Sequence, residues 1–219
     1  MRRSLYRYFD DRRWADAFLA GELYFRSLAY FRAYEDGQVR GDRNEGVSVF
    51  APAGGLVVVN RTQGTSFTLA DHRFESSVRQ DEIWVYCLSR VRTAALAAEF
   101  GAVVCVEILD VPTFCMRVQA ALPATAKFIG RRVDYYRATD AGDPRWALPD
   151  RIATSKLDGY ARQAEFRLVF SITGALEFEN ISLRLIQGAS ETPPPAKQDG
   201  QTVTIGSLAD ICRIHEINR

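Results

Sequence analysis

An α+β domain with a mixed or antiparallel sheet and short helices is the fold class that the sequence predicts. Roughly eight strand-like segments stand against about four or five short helical ones. The two kinds do not alternate as they do in a parallel βαβ fold. No G-x-G-x-x-G follows a strand and no G-x-x-x-x-G-K-[ST] occurs, which weakens the dinucleotide-fold and P-loop readings.

The elements follow in order. Residues 5–9 (LYRYF) read as a strand, and the acidic pair after them can cap a helix that starts near Asp11. In that helix Trp14, Ala17 and Phe18 fall on one face, predicted to pack on a sheet, and Gly21 supplies the stop. Residues 22–26 (ELYFR) form the next strand, with Ser27 able to cap a short helix carrying Leu28, Tyr30, Phe31 and Tyr34. Residues 35–45 (EDGQVRGDRNE) are dense in charge and glycine and read as a surface loop. Strands are expected in GLVVVN from Gly55, in SFTL and in IWVYCLS at 83–89. Thr93 caps an alanine-rich helix that leads into AVVCVEIL at 102–109, an apolar run of central-strand type. Asp110 followed by Pro112 opens another helix through Leu122, because an Asp cap with proline in the first turn suits the orphan amides there. Further strands are expected at 128–136, 163–172 and 182–186. The proline-rich stretch at 190–200 is a loop, since consecutive prolines fit neither a ladder nor a helix interior. TVTIG and CRIHEI close the chain.

The 219 residues, 47% of them hydrophobic, suffice for one domain with a real core spanning 1–219. A formal charge of +1 gives no global basic field, so any polyanion has to be met locally. Lysine occurs only at Lys127, Lys156 and Lys197; every other cation is arginine, a planar fork suited to phosphate or carboxylate. Codon bias would produce the same skew. Cys87, Cys105, Cys115 and Cys212 form no C-x-x-C, and His72 and His215 have no partner at ligand spacing, so neither a disulfide scaffold nor a zinc site is expected. No apolar stretch approaches the roughly 18–20 residues of a membrane helix, and the N-terminus has no secretory h-region; a cytoplasmic protein without membrane contact is expected.

Residues 160–170 (YARQAEFRLVF) carry the most chemistry. With period two, Ala164, Phe166, Leu168 and Phe170 face a core while Glu165, Arg167 and Val169 face the other way. Glu165 is thereby fixed on a rigid strand, as catalysis requires; the competing reading is a solvated face paired with neighbouring strands.

The order of short motifs, Leu5–Tyr8, Leu23–Ser27, Cys87-Leu88-Ser89 and Gln163–Arg167, resembles the ADP-ribosyltransferase fold. The likeness is closest to DarT-type nucleic-acid-modifying toxins and to an uncharacterised bacterial family found near phage-defence genes. It covers most of the chain. It implies NAD as substrate, Glu165 as the catalytic glutamate, and Arg7 at the first-strand position that holds a His or Arg against NAD. Tyr6, Arg26, Ser27, Tyr30 and Arg43 are the further cofactor contacts expected. The segment before the catalytic strand matches a target-recognition loop, which gives Lys156, Tyr160 and Arg162 to a DNA or RNA acceptor, with an antitoxin or defence partner also expected. The first-strand His of several clades is Arg7 here, and neither an S-T-S nor an R-S-E triad is present. Glu165→Gln is expected to abolish transfer and leave the fold intact. Two rivals stand beside this reading. One is a nuclease holding magnesium on Asp42, Glu45 and Glu165, since hard cations take carboxylate oxygens. The other is a non-catalytic nucleotide- or partner-binding module.

Overall fold

The computed structural model describes residues 4–33, 44–140, 148–188 and 200–217. Residues 34–43, 141–147 and 189–199, among them the predicted Arg43 and Asp42 and most of the proline-rich loop, lie outside the described residues. The architecture is α+β with mostly antiparallel sheets and short helices.

Strand β1 (Leu5–Phe9) leads to helix α1 (Arg12–Leu19), whose N-cap Asp11 accepts from the Arg13 amide at 2.8 Å. Gly21 ends that turn at φ +97°, with its missing Cβ 2.0 Å from Gly206 O, so no other residue fits. Strand β2 (Glu22–Ser27) runs directly into α2 (Leu28–Ala33). Then come β3 (Val47–Phe50), β4 (Leu56–Asn60), β5 (Thr65–Leu69), β6 (His72–Ser77) and β7 (Trp84–Ser89). Helix α3 (Ala94–Glu99), capped by Thr93, joins β7 to β8 (Val104–Ile108), and α4 (Val111–Ala121) follows under an Asp110 cap. The remaining elements are β9 (Lys127–Arg132), β10 (Asp134–Tyr136), α5 (Pro149–Ala153), β11 (Ser155–Leu157), β12 (Glu165–Ser171), β13 (Ser182–Gln187), β14 (Gly200–Thr204) and β15 (Cys212–Glu216). The sequence understates the strands: β3, β6 and β11 are unforeseen, and the strand expected at 128–136 breaks at Val133 into β9 and β10.

The main sheet has eight strands, and its feature of consequence is β7. One edge of β7 carries β12 from Glu165↔Ser89 to Phe170↔Trp84, with β9 beyond it. The other edge is shared. Strand β2 pairs with its start at Arg26↔Val85 and Ser27↔Trp84, whereas β1 pairs only with its end at Tyr6↔Ser89. Tyr86, Cys87 and Leu88 therefore face a fork in the sheet. Beyond β1 lie β8 and β15; beyond β2 lies β14.

Helices α1 and α4 cover one face of this sheet over a core of Phe18, Phe25, Tyr86, Phe114, Leu168 and Phe170. Burying each such ring removes enough apolar surface to contribute about 1.5–3 kcal/mol. The opposite face packs Val85 and Val169 against Leu28, Ile83, Ile152 and Leu176. Both faces of β12 are thus buried, and the solvated-face reading of Glu165 and Arg167 is corrected. A second correction concerns α1: Ala15 and Phe18 pack on the sheet, while Trp14 is 60% exposed. A three-stranded sheet in the order β13-β6-β3, the hairpin β4–β5 and the parallel pair β10–β11 complete the fold.

Candidate active site

The fork opens into a cavity of about 590 Å³. Its walls come from β1 (Tyr6, Arg7, Tyr8), β2 (Glu22, Tyr24, Arg26), α2 (Tyr30, Phe31), β7 (Tyr86 to Ser89) and the start of β12 (Glu165), with Trp14 of α1 at the rim. Arg7 and Glu165, far apart in the chain, open into one space.

Arg7 projects into the fork. Its Nη1 donates to Cys87 O at 2.6 Å, a carbonyl left open where β1 and β2 diverge, and its guanidinium lies 4.7 Å from the centre of the Tyr86 ring. Its buried Nε has no partner. A buried donor without an acceptor is costly, and this one belongs to a residue that lines the cavity. Arg26 lies between two rings, 4.4 Å from the centre of Tyr24 and 4.2 Å from that of Tyr30, so stacking fixes its plane and leaves the N–H edge for an anion.

Glu165 ends the cavity within a closed ring of four charges. Lys156 Nζ lies 2.8 Å from Glu165 Oε1 and 3.2 Å from Glu45 Oε1. Arg167 donates Nε to Glu165 Oε2 at 2.9 Å and a two-pronged pair to Glu45 at 2.6 and 2.8 Å. Arg167 and Glu45 are 1% exposed, Lys156 4% and Glu165 7%. Burial opposes the charge on Glu165, but Lys156 and Arg167 outweigh it and hold the carboxyl at about 2. Burial also opposes the Lys156 ammonium, and Glu165 and Glu45 overcome that to raise its proton affinity. Each Glu165 oxygen keeps a second lone-pair direction, and the residue remains exposed enough to accept a hydrogen bond from the cavity.

The backbone aims Glu165 as firmly as the side chains do. Ala164 sits at φ +45°, ψ 47°, a left-handed conformation unusual for a residue with a Cβ, and turns the chain from the 3-10 segment Asp158–Gln163 into β12. The Glu165 amide then donates to Tyr135 Oη at 2.8 Å. Cys87 lines the cavity but is no nucleophile: burial, with Glu165 adding to it, pushes its thiol up to about 11.

Of the residues predicted from sequence, Tyr6, Arg7, Arg26, Tyr30, Lys156 and Glu165 line this cavity. Ser27 does not; it is buried with Oγ accepting from the Tyr30 amide at 3.1 Å, a helix-capping role. Lys156 is buried inside the ring of charges, so it cannot face a macromolecular acceptor. Tyr160 and Arg162 stand outside the cavity, the first with its ring 4.8 Å from Lys156 Nζ and the second paired with Glu99 at 2.8 Å. The surface placement expected for Glu45 is corrected: the residue lies in the turn before β3, and its carboxylate is buried. Trp14 and Arg167 were not foreseen as parts of the site; the readable signal for Arg167 was its place on the same strand face as Glu165.

The magnesium arrangement fails on charge. Glu45 and Glu165 are bridged by Lys156 and Arg167, so a cation between them would meet two positive groups at contact distance. Asp42 lies outside the described residues. No helix among the described residues is long and apolar enough to cross a membrane. No protein-family model, curated protein or solved structure matches the chain.

Proposed function

We propose that the protein is an NAD-dependent ADP-ribosyltransferase that modifies a macromolecule, nucleic acid before protein, in a toxin or phage-defence setting. The observation that carries this is the meeting of Arg7 and Glu165 in one forked cavity. Its volume falls within the range of small-molecule and cofactor sites, about 300–1,000 Å³. Arg7 and Arg26 offer oriented donors to a diphosphate, and the aromatic walls suit flat rings.

In the reaction the bond between ribose C1′ and the nicotinamide nitrogen breaks, and its electron pair leaves with nicotinamide. The acceptor nucleophile forms the new bond to C1′, and its proton passes to solvent. Glu165, ionised down to about pH 2, is too weak a base to take that proton efficiently. Its role is to accept a hydrogen bond from a ribose hydroxyl and to stabilise the positive charge that develops on the sugar.

Incubation with NAD labelled in its adenylate half, together with total nucleic acid and lysate protein, tests this. Label is expected in nucleic acid, with one nicotinamide released per transfer. Glu165→Gln has to be read beside a stability measurement, because it leaves two buried cations facing Glu45 alone; this corrects the expectation that the fold is untouched. Arg7→Gln is the companion variant, and activity undiminished in both folded variants would overturn the reading. The engagement of both Glu165 oxygens favours one second reading, a module that binds NAD and does not turn it over. Calorimetric binding without nicotinamide release would select it.

A further inference from the structure

His215 lies outside the site described above, yet its ring is joined to it. Nε2 meets Glu107 Oε2 at 2.9 Å, and the other oxygen of that carboxylate, Oε1, accepts from the Tyr6 hydroxyl at 3.3 Å. Tyr6 in turn lines the cavity. Side chains from β15, β8 and β1 thus form one hydrogen-bonded chain that starts at the cavity wall. It ends within reach of water, since the Glu107 and His215 side chains are 13% and 20% exposed.

The sheet sets this chain level with Glu165. Tyr6 pairs with Glu107 on one side and with Ser89 on the other, and Ser89 pairs with Glu165. Directly paired residues share a face, so Glu107, Tyr6, Ser89 and Glu165 make one row across four strands. Two strand spacings, about 10 Å, separate the backbones of β1 and β12, which leaves room for a sugar and its attacking group between Tyr6 and Glu165. The other two hydroxyls on this wall are committed. Ser89 donates to Gln163 O at 2.8 Å and accepts from the Val91 amide at 3.2 Å. Tyr8 donates to Val91 O at 3.1 Å and accepts from the Thr93 amide at 2.9 Å. Tyr6 directs its proton to Glu107, which leaves its oxygen to accept one from the cavity.

The electrostatics suit passage of a proton and not its storage. Burial and the Glu107 charge raise the proton affinity of the Tyr6 phenol, and Ser4 and Arg92 oppose them without reversing the result. Tyr6 is therefore a neutral hydroxyl, able to hand on one proton as it takes another. Burial opposes the charge on Glu107, but hydrogen bonds from His215, Ser4 and Tyr6 outweigh it and hold the carboxyl below its ordinary value. A proton that reaches Glu107 is soon lost to water.

We infer that Tyr6 and Glu107, with His215 steadying the carboxylate, are the route by which the acceptor's proton leaves the cavity. As the attacking atom bonds to ribose C1′, its proton passes to Tyr6 Oη while the Tyr6 proton passes to Glu107 Oε1, and Glu107 then releases it to water. Nicotinamide carries off the electron pair of the broken bond, so no further reactant is needed. Tyr6 is the catalytic residue, because it touches the reacting group; Glu107 and His215 act through it. The inference rests on the transferase reading and adds to it the path of the proton.

Transfer from adenylate-labelled NAD to total nucleic acid and lysate protein, read beside calorimetric NAD affinity and a melting curve, tests this on Tyr6→Phe and Glu107→Gln. Phenylalanine keeps the ring and loses the hydroxyl; glutamine still offers Tyr6 an oxygen but holds no proton. Both variants are expected to bind NAD as the unaltered protein does and to transfer about a hundredfold more slowly. That is the low end for a catalytic proton transfer, because a cationic sugar draws in its nucleophile before the proton has to go. Since the two groups act in series, Y6F/E107Q is expected to lose no more than either variant alone, whereas independent structural losses would multiply. His215→Gln keeps a donor for Glu107 and is expected to transfer faster than His215→Ala. Undiminished transfer in folded Tyr6→Phe, a loss confined to NAD affinity, or multiplied losses in the double variant would overturn the relay and leave the transferase reading standing. No label transferred by the unaltered protein would instead remove the transferase reading, and the relay with it.

Discussion

Glu165 holds its charge because Lys156 and Arg167 face it across hydrogen-bond distances in a site that water barely reaches. Its folded pKa of about 2 lies below the roughly 4.3 of a free glutamate, so as pH falls the unfolded chain takes up the proton first. The stabilisation from this ionisation is therefore whole above about pH 4.5 and is lost as pH falls towards 2. Glu165→Gln leaves Lys156 and Arg167 with one carboxylate between them and is expected to cost about 3–5 kcal/mol at neutral pH, with Glu45→Gln similar. Urea midpoints measured from pH 7 to 2.5 check both statements: the unaltered protein weakens through that window, and Glu165→Gln starts lower and changes less. Parallel pH profiles for the two proteins would refute the assignment. The sequence singled out Glu45, Lys156 and Glu165 one by one, but not the pairing that joins them to Arg167 in this ring. Glu45, Lys156 and Glu165 are brought together only by tertiary pairing, and a Glu-x-Arg on one strand face reads equally well as a solvated pair.

At the level of elements, period and caps were readable and connectivity was not. The Asp11, Thr93 and Asp110 caps and the alternation in 163–170 locate α1, α3, α4 and β12, because those signals are local. Strand β6 escapes because HRFESS mixes charge and serine, and its place in a sheet depends on β3 and β13 on either side. The fork was likewise invisible, since it arises from two strands dividing one edge of β7. Strand β14 bears on the fork through Gly200, opposite Arg26, where an added Cβ would lie 2.1 Å from the Tyr24 ring. Gly200→Ala must therefore push Tyr24 off its place beside the Arg26 guanidinium while the ladder persists. The stacking contact contributes about 0.5–1 kcal/mol, so NAD is expected to bind roughly two- to fivefold more weakly to Gly200→Ala, and to Tyr24→Ala, with thermal stability little changed. Calorimetry beside a melting curve reads both quantities. Affinity unchanged in both variants would show that Arg26 needs no aromatic support.

Over the whole molecule, a sheet divided at its centre keeps an opening where a continuous sheet would have a core. Tyr86, Cys87 and Leu88 lack a strand on one side, the Arg7 side chain stands in that gap, and its buried Nε is left without an acceptor. A ligand that fills the fork and accepts from Arg7 binds the folded state alone, so it must stabilise the entire fold. At a hundredfold excess over its dissociation constant NAD would add about 2.7 kcal/mol. For a chain of this size each kcal/mol moves the midpoint by about 2–4 °C, which predicts a rise of roughly 5–11 °C. Arg7→Gln removes the donors and should abolish most of that rise. A melting curve that does not move in millimolar NAD, with the unaltered protein fully folded at the start, would separate the fork from dinucleotide binding altogether and leave its occupant to be sought among ligands with a different anion.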